Sequence, residues 1–283
     1  MDLSDKRDLR WFSDIVRDLH AAAPTHEPLL VGAMARDLLL HYGHDVPIAR
    51  ATADIDVAFA VAHWDEFTNL RAALIASGAF ASAGSSGLRL RHCDGRPIDL
   101  IPFGGVENSA GLLEWPDGQA EVGIMGYGEA LATSVELLLP ENQRVAVVSL
   151  PMLIILKLFA WSERHARVPG KDASDLFLIL RNYLNKDNSE RLYDEAPQLL
   201  DSDDFDYDAA GAWLAGHDAA RSIDSISPEP AMLRERVLEI LTGEVDPGSR
   251  LELVGEAGAQ AAAALSLLRG FHDGFYAGRG PSK

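Results

Sequence analysis

Two aspartates one residue apart, Asp54 and Asp56, are the part of this sequence best suited to chemistry. Side chains alternate along an extended segment, so both carboxylates point to one face, about 7 Å apart. They repel each other and lose hydration unless a cation lies between them. Ile55, Val57 and Phe59 make the opposite face apolar and set the register. Hard oxygen ligands favour Mg²⁺, or Mn²⁺, shared with substrate phosphates. Taken alone, the pair also reads as surface acids on an edge strand. A third acid, Asp99, interrupts the apolar run 97–103 and shares a face with Pro97 and Ile101. Three acids on neighbouring strands can hold two metal ions for phosphoryl or nucleotidyl transfer. One ion would activate the attacking oxygen and the other would stabilise the leaving pyrophosphate.

The elements that must position these acids are legible in outline. Leu29-Leu30-Val31 is a short apolar run ending at Gly32, which reads as a buried strand turning into a helix over 34–41. Such a glycine turn lets the backbone N–H groups of Gly32 and Ala33 approach a phosphate. Residues 54–61 read as the next strand, and 64–77 as a helix closed by Gly78. Segments 88–92 and 97–103 flank Asp94-Gly95, a hairpin signature. Residues 5–22 carry Leu9, Phe12, Ile15, Val16 and Leu19 at helical spacing. Residues 122–148 read as further short strands with a turn at 140–142. From Pro151 the pattern turns helical, over 152–166, 172–184, 189–200, 206–221, 229–242 and 255–277. The acidic run 201–208 reads as a solvated linker. The expected fold is α/β (α+β): a small mixed sheet with flanking helices over residues 1–150, followed by a helical domain over 151–283.

Residue by residue, the order strand–Gly32–helix–Asp54-X-Asp56 strand–hairpin with Asp99 resembles the DNA polymerase beta-like nucleotidyltransferase superfamily. Within it, the lead-in Arg50-X-Thr52-X-Asp54-X-Asp56 and the later segment Lys157-Leu158-Phe159-Ala160, Arg164 and Lys171-Asp172-Ala173-Ser174-Asp175 look like the AbiEii/AbiGii toxin-like group. The stretch 31–37 also looks like the opening motif of tRNA CCA-adding enzymes. The resemblance covers about residues 28–182. It implies an enzyme that moves an NMP from an NTP to an acceptor hydroxyl on a tRNA, a protein or a small molecule. It also implies a helical domain that contributes to the active site, and the toxin role of a toxin–antitoxin pair with an antitoxin partner. Asp54, Asp56 and Asp99 would be catalytic and metal-binding. Gly32, Ala33, Arg36, Thr52, Lys157 and Asp172 would serve the nucleotide.

Several of these residues have plainer readings. Lys157 interrupts an apolar helix, where a lysine is costly unless it meets an anion or reaches water along the helix edge. Asp172 suits the positive end of a helix, and by resemblance would orient Lys157 or the acceptor. Arg36 reads either as a partner of Asp37 or as a phosphate contact. Thr52 needs no role beyond strand propensity. The superfamily usually has Gly-Gly or Gly-Ser where this chain has Gly32-Ala33, so a serine hydroxyl is absent. That departure is the support for the alternative, a non-catalytic nucleotide- or partner-binding module of the same fold.

Composition bounds these readings. The 283 residues carry a net charge of −18, divided −10 and −8 between residues 1–150 and 151–283. Neither half has the basic surplus of a protein that grips nucleic acid by its phosphates. The field suits a cationic acceptor better. A single cysteine, Cys93, excludes a disulfide framework and argues against a cysteine-based zinc site. No His-Glu-X-X-His, Gly-X-Ser-X-Gly or P-loop signature occurs. The charged N-terminus and the absence of a long apolar run give the expectation of a cytoplasmic protein without a membrane partner.

Overall fold

A computed structural model of the chain describes residues 1–47, 54–84, 87–108, 111–114, 121–184, 188–201, 203, 205–246 and 248–278. The chain divides into two compact units, Met1–Ser149 and Leu150–Lys283.

In the first unit the elements run α1 (Arg10–Ala22), β1 (Leu29–Val31), α2 (Gly32–Asp37), β2 (Ile55–Ala60), α3 (Trp64–Ala76), β3 (Phe80–Ser82), β4 (Arg89–His92) and β5 (Pro97–Phe103). They continue with β6 (Leu112–Glu114), β7 (Glu121–Gly123), α4 (Tyr127–Ala132), β8 (Val135–Leu139) and β9 (Gln143–Val147). Among the described residues, seven strands form one mixed sheet in the order β3-β4-β5-β2-β1-β9-β8, and β6 pairs with β7 apart from it. Residues Phe12, Ile15, Val16 and Leu19 of α1 are buried, as their helical spacing requires. Ile55, Val57 and Phe59 of β2 are likewise buried.

Two sequence expectations need correction here. The Asp54-X-Asp56 strand is not at an edge: β2 lies between β5 and β1. Its neighbours were invisible because they come from distant segments. The stretch 122–148 is not wholly strand-like, since Tyr127–Ala132 forms α4 after Gly126 takes a positive φ of 87°. Its Glu-Ala-Leu-Ala run has strong helix propensity, which the short length masked.

The second unit is helical in its described residues: α5 (Leu150–Arg164), α6 (Lys171–Arg181), α7 (Arg191–Glu195), α8 (Pro197–Leu200), α9 (Tyr207–Ile226), α10 (Pro230–Val245), α11 (Glu252–Gly255) and α12 (Ala261–Ala277). Pro197 splits the segment 189–200 into α7 and α8, because proline cannot donate within a helix. Helices α9 and α12 approach closely through small residues. A Cβ on Gly216 would lie 2.7 Å from the Phe275 nitrogen, and one on Gly274 would lie 2.6 Å from the Trp213 carbonyl carbon. The acidic run before α9 is more than a solvated linker. Asp206 caps α9 by accepting from the backbone N–H of Asp208 and Ala209.

Candidate active site

At one end of the sheet, β1 finishes where β2 and β5 begin. Strand β1 runs antiparallel to β2 with Val31 opposite Asp56, and β2 runs parallel to β5 with Asp56 opposite Asp99. Residues paired across a sheet share a face, so Asp56 and Asp99 emerge side by side. Asp54 precedes β2 by one residue, on the alternation that returns to the same face.

The turn after β1 completes this end. Gly32 has φ +72°, and a Cβ there would lie 2.8 Å from Asp56 Cγ and closer still to its Oδ2. Only glycine both adopts this backbone and leaves space for the Asp56 carboxylate. Ala33 follows as the second residue of α2 and is buried.

Asp99 faces a cation that sequence reasoning missed. Arg89 on β4 lies opposite Asp99 and grips both its oxygens, Nε to Oδ1 at 2.7 Å and a terminal nitrogen to Oδ2 at 2.5 Å. The same guanidinium is 3.7 Å from Asp54 Oδ1. Hydrogen bonds to Asp99 come first, with the charges of Asp99, Asp54 and Asp56, in raising the Arg89 pKa above its ordinary value against the opposing effect of burial. The Asp94-Gly95 signature marks the hairpin but not this pairing. As a two-residue turn it would set Leu90 against Asp99, whereas the three-residue loop Cys93–Gly95, closed by the His92 N–H on the Arg96 carbonyl, sets Arg91 against Pro97 and Arg89 against Asp99.

Arg36 is buried, with Nε 2.8 Å from Asp37 Oδ1. Of its two readings, the structure displays the ion pair. Thr52, and Arg50 in the same lead-in, lie outside the described residues.

The second unit holds the other expected residues. Lys157 does not reach for water: its side chain is 6% exposed. Its ammonium donates to Asp172 Oδ1 at 3.2 Å and Asp175 Oδ2 at 2.6 Å. Arg164 forks onto Asp172 from outside, at 2.7 and 2.8 Å. Burial raises the Asp172 pKa, but hydrogen bonds from Arg164 and the charges of Lys157 and Arg164 outweigh it, and the net shift is downward. Asp172 thus does more than sit in the first turn of α6. It shares a buried lysine with Asp175.

Asp54 and Asp56 suit a hard divalent cation: two carboxylates on one face, with the Asp56 carboxylate seated over a glycine that leaves it room. Each Asp99 oxygen accepts one hydrogen bond from Arg89 and keeps a further lone pair, with which it would join them.

A glycine turn facing paired aspartates at one end of a mixed sheet leaves room for a cation beside a phosphate. The profile of the family described as "Nucleotidyl transferase AbiEii toxin, Type IV TA system" matches residues 15–239, and the chain belongs to that family. A search of curated sequences finds no match. Among solved structures, the chain is similar to the solution structure of the antibiotic-resistance factor ANT(2'')-Ia, at 16% identity and TM-score 0.40, over 67% of this chain and 92% of that one. It is also similar to the crystal structure of ANT(2")-Ia in complex with adenylyl-2"-tobramycin, at 17% identity and TM-score 0.38, over 64% of this chain and 93% of that one. At these TM-scores the likeness does not extend to a site or a substrate. Membership of the family decides for an enzyme over a binding module.

Proposed function

We propose that this nucleotidyltransferase uses Mg²⁺ or Mn²⁺ to move the NMP of an NTP to an acceptor hydroxyl. The bond from the acceptor oxygen to the α-phosphorus forms, the bond from that phosphorus to the pyrophosphate oxygen breaks, and the acceptor proton leaves to a base. The observation that carries the reading is the convergence of Asp54, Asp56 and Asp99 with Gly32 at one end of the sheet. Asp54 and Asp56 would hold the cation, which supplies Lewis-acid polarisation of a phosphoryl oxygen when bound. Asp99 is the base or a further ligand, and Arg89 aligns its carboxylate through two hydrogen bonds. The backbone at Gly32 and Ala33 lies beside Asp56 and suits a phosphate; Thr52 and Arg36 are further candidates for nucleotide contact.

Lys157 and Asp172 enter the proposal through family membership. A lysine ammonium has three donors, and Asp172 and Asp175 take two of them. The acceptor is a hydroxyl on a tRNA, a protein or a small molecule. The charge of −18 favours a cationic acceptor over a polyanion. The family description adds a toxin role with an antitoxin partner.

Labelled NTPs offered with tRNA, total protein and aminoglycosides test this reading, with pyrophosphate release as the readout. Asp54→Asn and Asp56→Asn are each expected to abolish transfer while melting within a few degrees of the unmodified chain. Transfer that survives both substitutions would overturn it.

A further inference from the structure

Strand β4 carries Arg89 at its start and a different constellation at its other end. His92, its last residue, has a side chain only 3% exposed. Its Nε2 is 3.1 Å from Asp18 Oδ2, on α1, and 3.6 Å from the Cys93 sulfur. These three atoms all lie within 4.8 Å of one another. We propose that Asp18, His92 and Cys93 form a binding site for one Zn²⁺ ion, separate from the carboxylates of the transfer reaction.

The distances from His92 Nε2 to the sulfur and to the carboxylate fit the ion. Tetrahedral zinc with bonds of about 2.0–2.1 Å to nitrogen and oxygen and about 2.3 Å to sulfur sets N and S about 3.6 Å apart and N and O about 3.4 Å apart. The other ring nitrogen is held by Asp94: Nδ1 lies 3.0 Å from its Oδ1 and 3.4 Å from its backbone nitrogen, and a proton on Nδ1 shared with the carboxylate would leave Nε2 open to the ion. Arg17 Nε occupies the other Asp18 oxygen, Oδ1, at 3.3 Å, so Oδ2 is the one turned to His92. Thiolate and imidazole select zinc over Mg²⁺. Cys93 is exposed, which gives an ion a path in and leaves the fourth position to water. A second cluster among the described residues, Glu195, His217 and Asp218, lacks this character. Arg191 already bridges its two acids, at 2.7 Å from each. Bound zinc would tie α1 to the hairpin whose strands carry Arg89 and Asp99.

The test uses the full chain carrying Asp54→Asn and Asp56→Asn, so that those carboxylates cannot contribute. Zn²⁺ alone is titrated by calorimetry, and Co²⁺ by absorption. The expected result is one equivalent of Zn²⁺, a rise in melting temperature, and a thiolate-to-cobalt charge-transfer band. Cys93→Ser, at an exposed position, should lose the band and the melting shift. Asp94→Asn should keep the band while weakening Zn²⁺ roughly tenfold to a hundredfold. The absence of a stoichiometric Zn²⁺ site, or binding and a melting shift unchanged in Cys93→Ser, would overturn the proposal. His92 would then be a ring held by hydrogen bonds alone.

Discussion

Gly32 decides whether Asp56 can stand where it does. Its φ of +72° and the Asp56 carboxyl within reach of any Cβ act together. Gly32→Ala therefore carries two penalties, a strained backbone costing about 1–3 kcal/mol and a displaced aspartate. Misplacing a reacting group by roughly 1 Å can cost about a hundredfold in rate. The expected outcome is a lower melting temperature together with a kcat reduced by one to two orders of magnitude. Normal turnover in Gly32→Ala would show that Asp56 does not need its present seat. Arg89 adds a residue-scale constraint of a different kind. It neutralises part of the repulsion among three carboxylates, so removing one acid relieves less strain than two bare aspartates would suggest.

At the scale of elements, the α5–α6 pair is joined by a buried ion cluster as well as by apolar packing. Lys157 on α5 meets Asp172 and Asp175 on α6, all three nearly inaccessible. Removing one partner of a buried pair leaves uncompensated charge and costs about 3–5 kcal/mol. Lys157→Met should therefore destabilise strongly, and a fall in turnover there would not isolate a nucleotide role. The double variant Lys157→Met/Asp175→Asn leaves Asp172 with Arg164 and should regain much of the stability. If Lys157 also grips the triphosphate, NTP affinity in the double variant stays about 10- to 150-fold weaker, the equivalent of a charge-assisted contact of about 1.5–3 kcal/mol. Normal affinity would assign Lys157 to the fold alone. The same cluster sets a pH dependence. Asp172 titrates below its ordinary 3.8 in the folded chain, so its stabilisation is complete above that value and disappears as the pH falls through the lower folded one. Acid melts should show this loss in the unmodified chain and a shallower slope in Asp172→Asn.

For the whole molecule, the family match spans residues 15–239, thus all but the first residues of one unit and most of the other. No helix among the described residues is long and apolar enough to cross a membrane. A net charge of −18 repels a free triphosphate, and a divalent cation bound with it offsets that repulsion. Mg²⁺ and an NTP together should raise the melting temperature more than either alone. A ligand at 100 times its Kd adds about 2.7 kcal/mol to a folded state it binds exclusively. No shift with any of the four common NTPs would contradict the proposed reaction.

Local features of the chain were sufficient for the parts of the site that lie within one or two segments. Alternation along 54–59 put the two aspartates on one face, and Gly32 after an apolar run marked the turn. Asp94-Gly95 marked the hairpin but not its register, since a two-residue turn would have set Leu90 against Asp99 and only the three-residue loop Cys93–Gly95 brings Arg89 there. What joins distant segments was decided by tertiary structure. Strands β2 and β5 lie side by side and parallel, setting Asp56 against Asp99, because that order lets the apolar faces of both be buried at once. The partners of Lys157 depend on how α6 packs against α5, which helical periodicity does not specify. Asp18 and His92 are 74 residues apart in the chain, and nothing in their spacing suggests a shared ligand. A lone cysteine argued against zinc in the sequence. Only the packing of α1 against the hairpin brought Asp18 to the adjacent pair His92-Cys93, because side-chain convergence follows from the burial of the whole core rather than from any one segment.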